Sequence, residues 1–236
     1  AVRVASLVAE SQWLTLDGMF THLATADVAD TQFAQQQVST FIRAVEQVRA
    51  LEIEVRHVHI SNSASAIRRL DTGVGCTMTR VGIAMYGIPG DAATNSFGAA
   101  HQLDLRPVMS VHARVSHVQR VTAGQGVSYG LKRPLESDST IATLPLGYAD
   151  GIPRGIWESG SVLVHGTRRA FAGVVTMDQI LVNCANDAVS IGDEAVLIGT
   201  QGLELITANE WANKMGTIGY EIVCAISARM PRNYIN

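Results

Sequence analysis

Lysine is almost missing from this chain: Lys132 and Lys214 are the only two in 236 residues. Basic residues stand singly or at most in pairs rather than in runs, and net charge is -3 with a pI near 6.2, which argues against a nucleic-acid-binding surface. No apolar run approaches the roughly 18 residues that a membrane-spanning helix needs, and no signal-peptide pattern opens the chain. Cysteines are few, odd in number and far apart (Cys76, Cys184 and Cys224), with no CxxC spacing. That excludes a disulfide framework and a cysteine-based metal site, and the three read as ordinary buried thiols in a reducing cytosol. His57 and His59 lie two apart on one strand face, but no third ligand stands near them, so satisfied histidines are expected rather than a metal site. Internal repeats and low-complexity segments are lacking as well.

What is present is apolar material for a core and a change of pattern near the middle. Val4, Leu7 and Val8 open a helix. Leu14 to His22 reads as a buried strand ending in THLATAD, and Asp30 as the N-cap of the next helix. That helix carries Ala34, Val38, Phe41, Val45 and Val48 on one face. Glu54 to Ser61 reads as a second strand, with Asn62 and Ser63 opening a helix at its end, and Thr79 to Tyr86 as a third strand. The helix between the first two strands has the length of a parallel β–α–β crossover, an arrangement that puts functional groups at strand C-termini. Residues 89–104 read as a loop-like boundary rich in Gly, Ala, Asn and Asp. Beyond it, short strands between turns predict a small antiparallel β domain. Thr207 and Glu210 form a capping box on a helix ended by Gly216, and Tyr220 to Ala225 reads as a last strand.

Several polar residues carry chemistry. Tyr129 sits in GQGVSYG (124–130), a glycine-loosened turn after the strand-like run Ser110 to Val121, where it either caps a hairpin or enters a cleft. A phenol titrates near ~10 and becomes a base at neutral pH only beside a cation. Ser63, next to Asn62 at a helix start, is either a plain N-cap or a seat for an anion. Arg80 lies beside Gly82, where backbone can approach a ligand closely, or is an ion-pair residue. Tyr220 either packs on its strand or hydrogen-bonds a phosphate oxygen.

Taken in order, THLATAD (21–27), HISNS (59–63), TRVGIAMYG (79–87), GQGVSYG, LGYADGIPR (146–154), TMDQ (176–179), TIGYE (217–221) and a C-terminal ISARMPRNY resemble alanine racemase, the fold-type III enzyme that uses pyridoxal 5′-phosphate. The resemblance runs from about Gly18 to Tyr234. It implies the final strands of an incomplete TIM-type (β/α)8 barrel over residues 1–95, and a C-terminal β domain over 96–236. It further implies a cytoplasmic homodimer with shared active sites, a small amino-acid substrate, and D-alanine as a product for peptidoglycan. By position, His22 matches the residue that packs on the pyridine ring. Asn62 and Ser63 match cofactor contacts, with Ser63 on the phosphate, and Gly82, Ile83 and Tyr220 match further phosphate donors. Arg80 matches the arginine at the pyridine nitrogen. An arginine there does not readily give up its proton, which leaves that nitrogen unprotonated and limits the spread of negative charge into the ring. Tyr129 matches the catalytic tyrosine, and Met177 and Asp178 match substrate contacts in the partner subunit's site. Asp27, His59, Tyr148 and Arg154 match the substrate access channel.

The chain also departs from that pattern. Racemisation needs an acid and a base on opposite faces of the α-carbon, and the family pairs the tyrosine with a cofactor-bearing lysine near the start of its barrel. Neither Lys132, after the Tyr129 turn, nor Lys214, late in a surface helix, ends a barrel strand. Together with the absent initiator Met, this reads as the C-terminal part of a longer racemase, with about three of eight strands, inactive and prone to aggregate alone. Val174 stands where a basic residue is common, Val81 where proline is, and Asp71 to Thr79 is longer than usual. A racemase of another small amino acid such as serine, and a non-catalytic module completing another chain, are the competing functions.

Overall fold

Two parallel strands bridged by a long helix begin the chain, in a computed structural model that describes residues 1–71, 75–89, 96 and 103–235. Strand β1 (Gly18–Phe20) pairs in parallel with β2 (His57–His59), in the register Gly18 to His57, Met19 to Val58 and Phe20 to His59. The crossover is α2 (Gln32–Arg49), preceded by α1 (Val2–Ala9). All five residues of the expected apolar face of α2 are buried, with Val48 fully so, and they pack with Leu23, Val55, Val58 and Ile60 into one core. Period-3.6 spacing over an 18-residue helix makes that face unambiguous.

Strand boundaries are tighter than the sequence suggests. Leu14 to His22 yields only the three residues of β1, and Glu54 to Ser61 only those of β2. Thr79 to Tyr86 is not a strand: Ile83–Tyr86 is a 3-10 turn ended by Gly87 in the left-handed region. Its V-x-I-x-M pattern mimics alternation, yet Val81, Met85 and Tyr86 are all exposed, so there is no buried face to hold a strand. The α2 cap is Thr31 rather than Asp30, whose carboxylate accepts from the Gln32 N–H at 2.9 Å, one step outside the cap. The loop expected at 89–104 and the lengthened Asp71 to Thr79 segment lie largely or partly outside the described residues.

The chain divides into compact units at Arg106/Pro107. The second unit is built on antiparallel sheets. The run Ser110 to Val121 gives two strands, β3 (Val111–Arg114) and β4 (His117–Val121). They are followed by β5 (Ser139–Leu144), β6 (Ser161–Val164), β7 (Thr167–Ala170), β8 (Ile180–Asn183), β9 (Glu194–Gln201) and β10 (Glu204–Ile206). Among the described residues, one sheet runs β10-β9-β6-β7 with β3 also on β9, and another runs β4-β5-β8. Ile180 and Val182 alternate inward on β8, whereas β6 and β9 are covered on both faces, with Leu163, Val196 and Leu197 all inaccessible.

Two helices close this unit, α4 (Ala208–Met215) and α5 (Gly219–Ala225). Helix α4 starts on the Thr207 hydroxyl, which accepts from the Glu210 N–H at 3.0 Å, and ends at left-handed Gly216; its Trp211 is fully buried. The segment Tyr220 to Ala225, expected as a strand, is instead α5, because Gly219 and Ile222 bury at helical spacing while Tyr220 and Glu221 face outward. Cys184 is buried and Cys76 half-buried, but Cys224 on the outer side of α5 is exposed, against the expectation of three buried thiols. Thr207→Ala removes the cap acceptor of α4 and is expected to cost about 1 kcal/mol in urea unfolding, whereas Thr207→Ser retains most of it. An unchanged midpoint in Thr207→Ala would show that the cap carries no weight.

Candidate active site

The first unit gathers its polar groups at the C-terminal ends of β1 and β2. Register sets this directly: Phe20 and His59 are partners, their rings stack at 5.3 Å, and the Arg80 guanidinium lies 5.2 Å over the Phe20 ring. Arg80 reaches four acceptors. Its Nη1 donates to His59 Nδ1 at 2.5 Å, and its Nη2 faces the Thr21 carbonyl (3.0 Å), His22 Nδ1 (3.2 Å) and the Ile60 carbonyl (3.2 Å). Because arginine can only donate, the Nδ1 atoms of both histidines must be acceptors, which puts each proton on Nε2. His22 Nε2 then lies 3.5 Å from the Asn62 amide nitrogen. Asn62 cannot turn its oxygen there, since Oδ1 already accepts from the Ser65 N–H at 2.9 Å. Two donors therefore stand side by side, a place suited to an acceptor from outside the chain.

Asn62 caps α3 (Ser63–Ile67) in a reciprocal capping box with Ser65. Ser63 is thereby pinned, and its hydroxyl accepts from the Gly82 N–H at 2.9 Å and the Ala84 N–H at 3.3 Å. A side chain at Gly82 would meet nothing closer than Ser63 Oγ at 4.0 Å, so the backbone lies open there. With the Gly82 and Ala84 N–H groups both spent on Ser63, the Ser63 O–H and the Asn62 amide are left as a donor pair that fits a phosphate oxygen, and Ile83 belongs to the same turn. Asp27 sits in the loop that Arg68 holds through the carbonyls of Ala26 (2.7 Å), Val28 (2.5 Å) and Ala29 (3.2 Å).

The second unit carries the remaining residues. Tyr129 is 75% exposed on a turn with left-handed φ at Ser128 (67°), Gly130 (74°) and Leu131 (46°). Ser128, with ψ of 178°, occupies a region that is essentially reserved for glycine. Met177 and Asp178 are exposed on a loop pinned to Gly147–Ala149: the Tyr148 N–H donates to the Thr176 carbonyl (2.9 Å) and the Ala149 N–H to that of Met177 (3.1 Å). Only glycine fits at 147, where a Cβ would lie 2.1 Å from the Thr176 oxygen. Arg229 pairs with Asp178 at 2.7 Å and approaches Asp150 at 3.4 Å, and Asp150 in turn accepts from the Gly147 N–H at 2.8 Å. Tyr148 and Arg154 line one cavity of about 670 Å³ with Met215, Thr217 and Ile222. Tyr220 lies on the exposed side of α5 in this unit, and Val174 is buried.

Sequence reasoning overlooked the residues that hold these groups. Gln37 donates to the His22 carbonyl (2.7 Å) and the Thr21 hydroxyl (2.9 Å) and accepts from the Ala24 N–H (3.1 Å), fixing the backbone on which His22 stands. Its polar position on the β-facing side of an amphipathic helix was the available signal. Phe20 and Arg229 gave none, because their roles come from pairing across the fold.

Comparison with known proteins agrees with this arrangement of a parallel β–α–β unit and an antiparallel β domain. Residues 1–89 match the model for the alanine racemase N-terminal domain, and residues 108–234 match that for the alanine racemase C-terminal domain. The chain belongs to the alanine racemase family. It is 39% identical over 224 residues to the alanine racemase of Halothermothrix orenii, covering 94% of this chain and 57% of that protein. To that of Carboxydothermus hydrogenoformans it is 41% identical, covering 94% and 59%. Among solved structures, alanine racemase from Streptomyces coelicolor aligns with a TM-score of 0.91 at 35% identity, covering 99% of this chain and 61% of that one. The Bacillus anthracis alanine racemase with bound L-Ala-P aligns at 0.87 and 37%, covering 95% and 56%. The chain thus spans somewhat under two thirds of the length of these relatives. No described helix is long and apolar enough to cross a membrane, and no three His, Cys, Asp or Glu among the described residues group as a metal site.

His59 is pushed below the usual histidine value of 6.5, first by burial and then by the charges of Arg80 and His57. The unfolded chain takes up the proton first, so this histidine's contribution to stability is complete above pH 6.5 and is lost as pH falls through its folded midpoint. An NMR titration is expected to place His59 below 6.5, and Arg80→Gln to return only part of the shift, because burial is the larger cause. A midpoint at or above 6.5 in the unmodified chain would contradict the Arg80 contact.

Proposed function

We propose that this chain supplies part of a pyridoxal-phosphate-dependent alanine racemase, an isomerase that interconverts L-alanine and D-alanine, with D-alanine destined for peptidoglycan. The observation that carries it is the pairing of the Arg80 cage with the Ser63 cradle at the ends of two parallel strands, where (β/α)8 barrels keep their sites. On this proposal residues 1–95 are the last strands of such a barrel and residues 96–236 its β domain. Ser63, Gly82 and Ile83 would hold the phosphate, with Tyr220 a further phosphate contact by resemblance, Asn62 and His22 would contact the ring, and Arg80 would donate to the ring nitrogen. Pyridoxal phosphate, when bound, makes the α-hydrogen of an amino acid acidic enough to be removed.

The chain's own groups do the rest. Tyr129, exposed on its strained turn, exchanges the proton on one face of the α-carbon. The Met177 backbone and Asp178 orient the substrate carboxylate, with Tyr148, Arg154, Asp27 and His59 along the approach. The opposite face needs an amine that neither lysine offers: Lys214 pairs with Glu210 at 2.9 Å, and Lys132 lies 5.9 Å over the Trp157 ring. We place that amine on a lysine outside this chain, and Tyr129, Met177 and Asp178 in the site of a second subunit of a cytoplasmic homodimer. In the complete enzyme, Tyr129→Phe is expected to cut solvent-deuterium exchange at the α-carbon of one alanine enantiomer by at least ~100-fold, with the other affected less. Unchanged racemisation in that variant would refute the role.

A further inference from the structure

We infer that Arg133 is a positioning residue for Tyr129: it clamps the far end of the tyrosine turn to the same β segment that grips the near end. This rests on the proposed proton-transfer role of Tyr129. The turn runs from Gly126 to Pro134, which form an isolated antiparallel bridge. Within it, three left-handed φ values surround Tyr129, so the loop's own backbone preferences do not favour this shape and something outside it must hold it.

Two anchors are visible. On the near side, the Ser128 hydroxyl donates to the Val174 carbonyl at 2.8 Å, and a Cβ at Gly173 would lie 2.6 Å from the Val127 oxygen, so the two backbones touch. On the far side, Arg133 forks: Nη1 donates to the Phe171 carbonyl at 2.9 Å and Nη2 to the Glu158 carbonyl at 2.8 Å. Its guanidinium centre also sits 5.1 Å over the Trp157 ring. Phe171 and Val174 belong to one short segment leading into β8, so both ends of the turn are fastened to the same backbone. Phe171 is fully buried, which makes that backbone a rigid reference.

The planar fork is what the geometry needs. A lysine is a point charge on a flexible stem and cannot hold two carbonyls with one stacked plane. Arg133→Lys should therefore behave like Arg133→Ala rather than like the parent chain.

The test uses the complete enzyme labelled with 3-fluorotyrosine, whose Tyr129 fluorine resonance is assigned by its loss in Tyr129→Phe. Arg133→Ala and Arg133→Lys are each expected to narrow that resonance and move it toward free fluorotyrosine, with the signals of Tyr86, Tyr148 and Tyr220 in place. In the complete enzyme the same variants are expected to lose roughly 10- to 100-fold in kcat with KM within about twofold and an unshifted pH profile. Should Arg133→Ala fail to fold, Arg133→Lys decides alone. A Tyr129 resonance unchanged in a folded Arg133 variant overturns the clamp, as does full restoration by lysine. Undiminished racemisation by Tyr129→Phe overturns the catalytic reading instead, while the fluorine spectra still decide whether Arg133 holds the turn.

Discussion

A guanidinium that donates to two imidazoles and two carbonyls is the constraint around which the first unit is arranged. A guanidinium has only donors to offer, so the atoms it meets must be acceptors, and that fixes the tautomers of His22 and His59 together. The Thr21 and Ile60 carbonyls that complete the set come from the ends of β1 and β2, so the parallel register and the charge state depend on each other. Phe20 closes the arrangement by lying against both His59 and the guanidinium. A slip of one residue between the strands would part Phe20 from His59 and turn its side chain to the other face.

Around that fixed cation the neighbouring groups are donors. The Asn62 amide and the His22 Nε2–H face one another without an acceptor between them, whereas the Gly82 and Ala84 N–H groups already donate to the Ser63 hydroxyl. A site short of acceptors is suited to a ligand rich in them, and that is the physical ground on which a phosphorylated pyridine is proposed there. The second unit follows a different logic, in which a strained turn is tolerated because backbone contacts on both sides outweigh its local preference. Function in each unit therefore depends on groups that hold other groups still.

How much of this was legible in the sequence depended on element length and on where each partner lies. The face of α2 could be read because eighteen residues hold five apolar positions at steps of four and three, and the α4 cap because Thr207 and the Glu210 N–H are local. The Glu210 carboxylate, expected to reach back to the cap, pairs with Arg168 and Lys214 instead. Short apolar runs misled: Thr79 to Tyr86 became a 3-10 turn and Tyr220 to Ala225 a helix, since six to eight residues do not separate the two periods. The residues proposed for the site could be picked out through their motifs, but the groups that hold them in this structure could not. Gln37, Phe20 and Arg229 act across gaps of 13 to 79 positions (Gln37 to Ala24, Arg229 to Asp150), and no local spacing encodes such contacts.

Ring-nitrogen NMR of His22 and His59 near pH 7 examines the Arg80 cage most directly. Both residues are predicted to show an unprotonated Nδ1 and a protonated Nε2, with Arg80 side-chain protons coupled across the His59 contact. A protonated Nδ1 on His59 would mean that the guanidinium does not donate there, and the arrangement of donors built on it would be wrong.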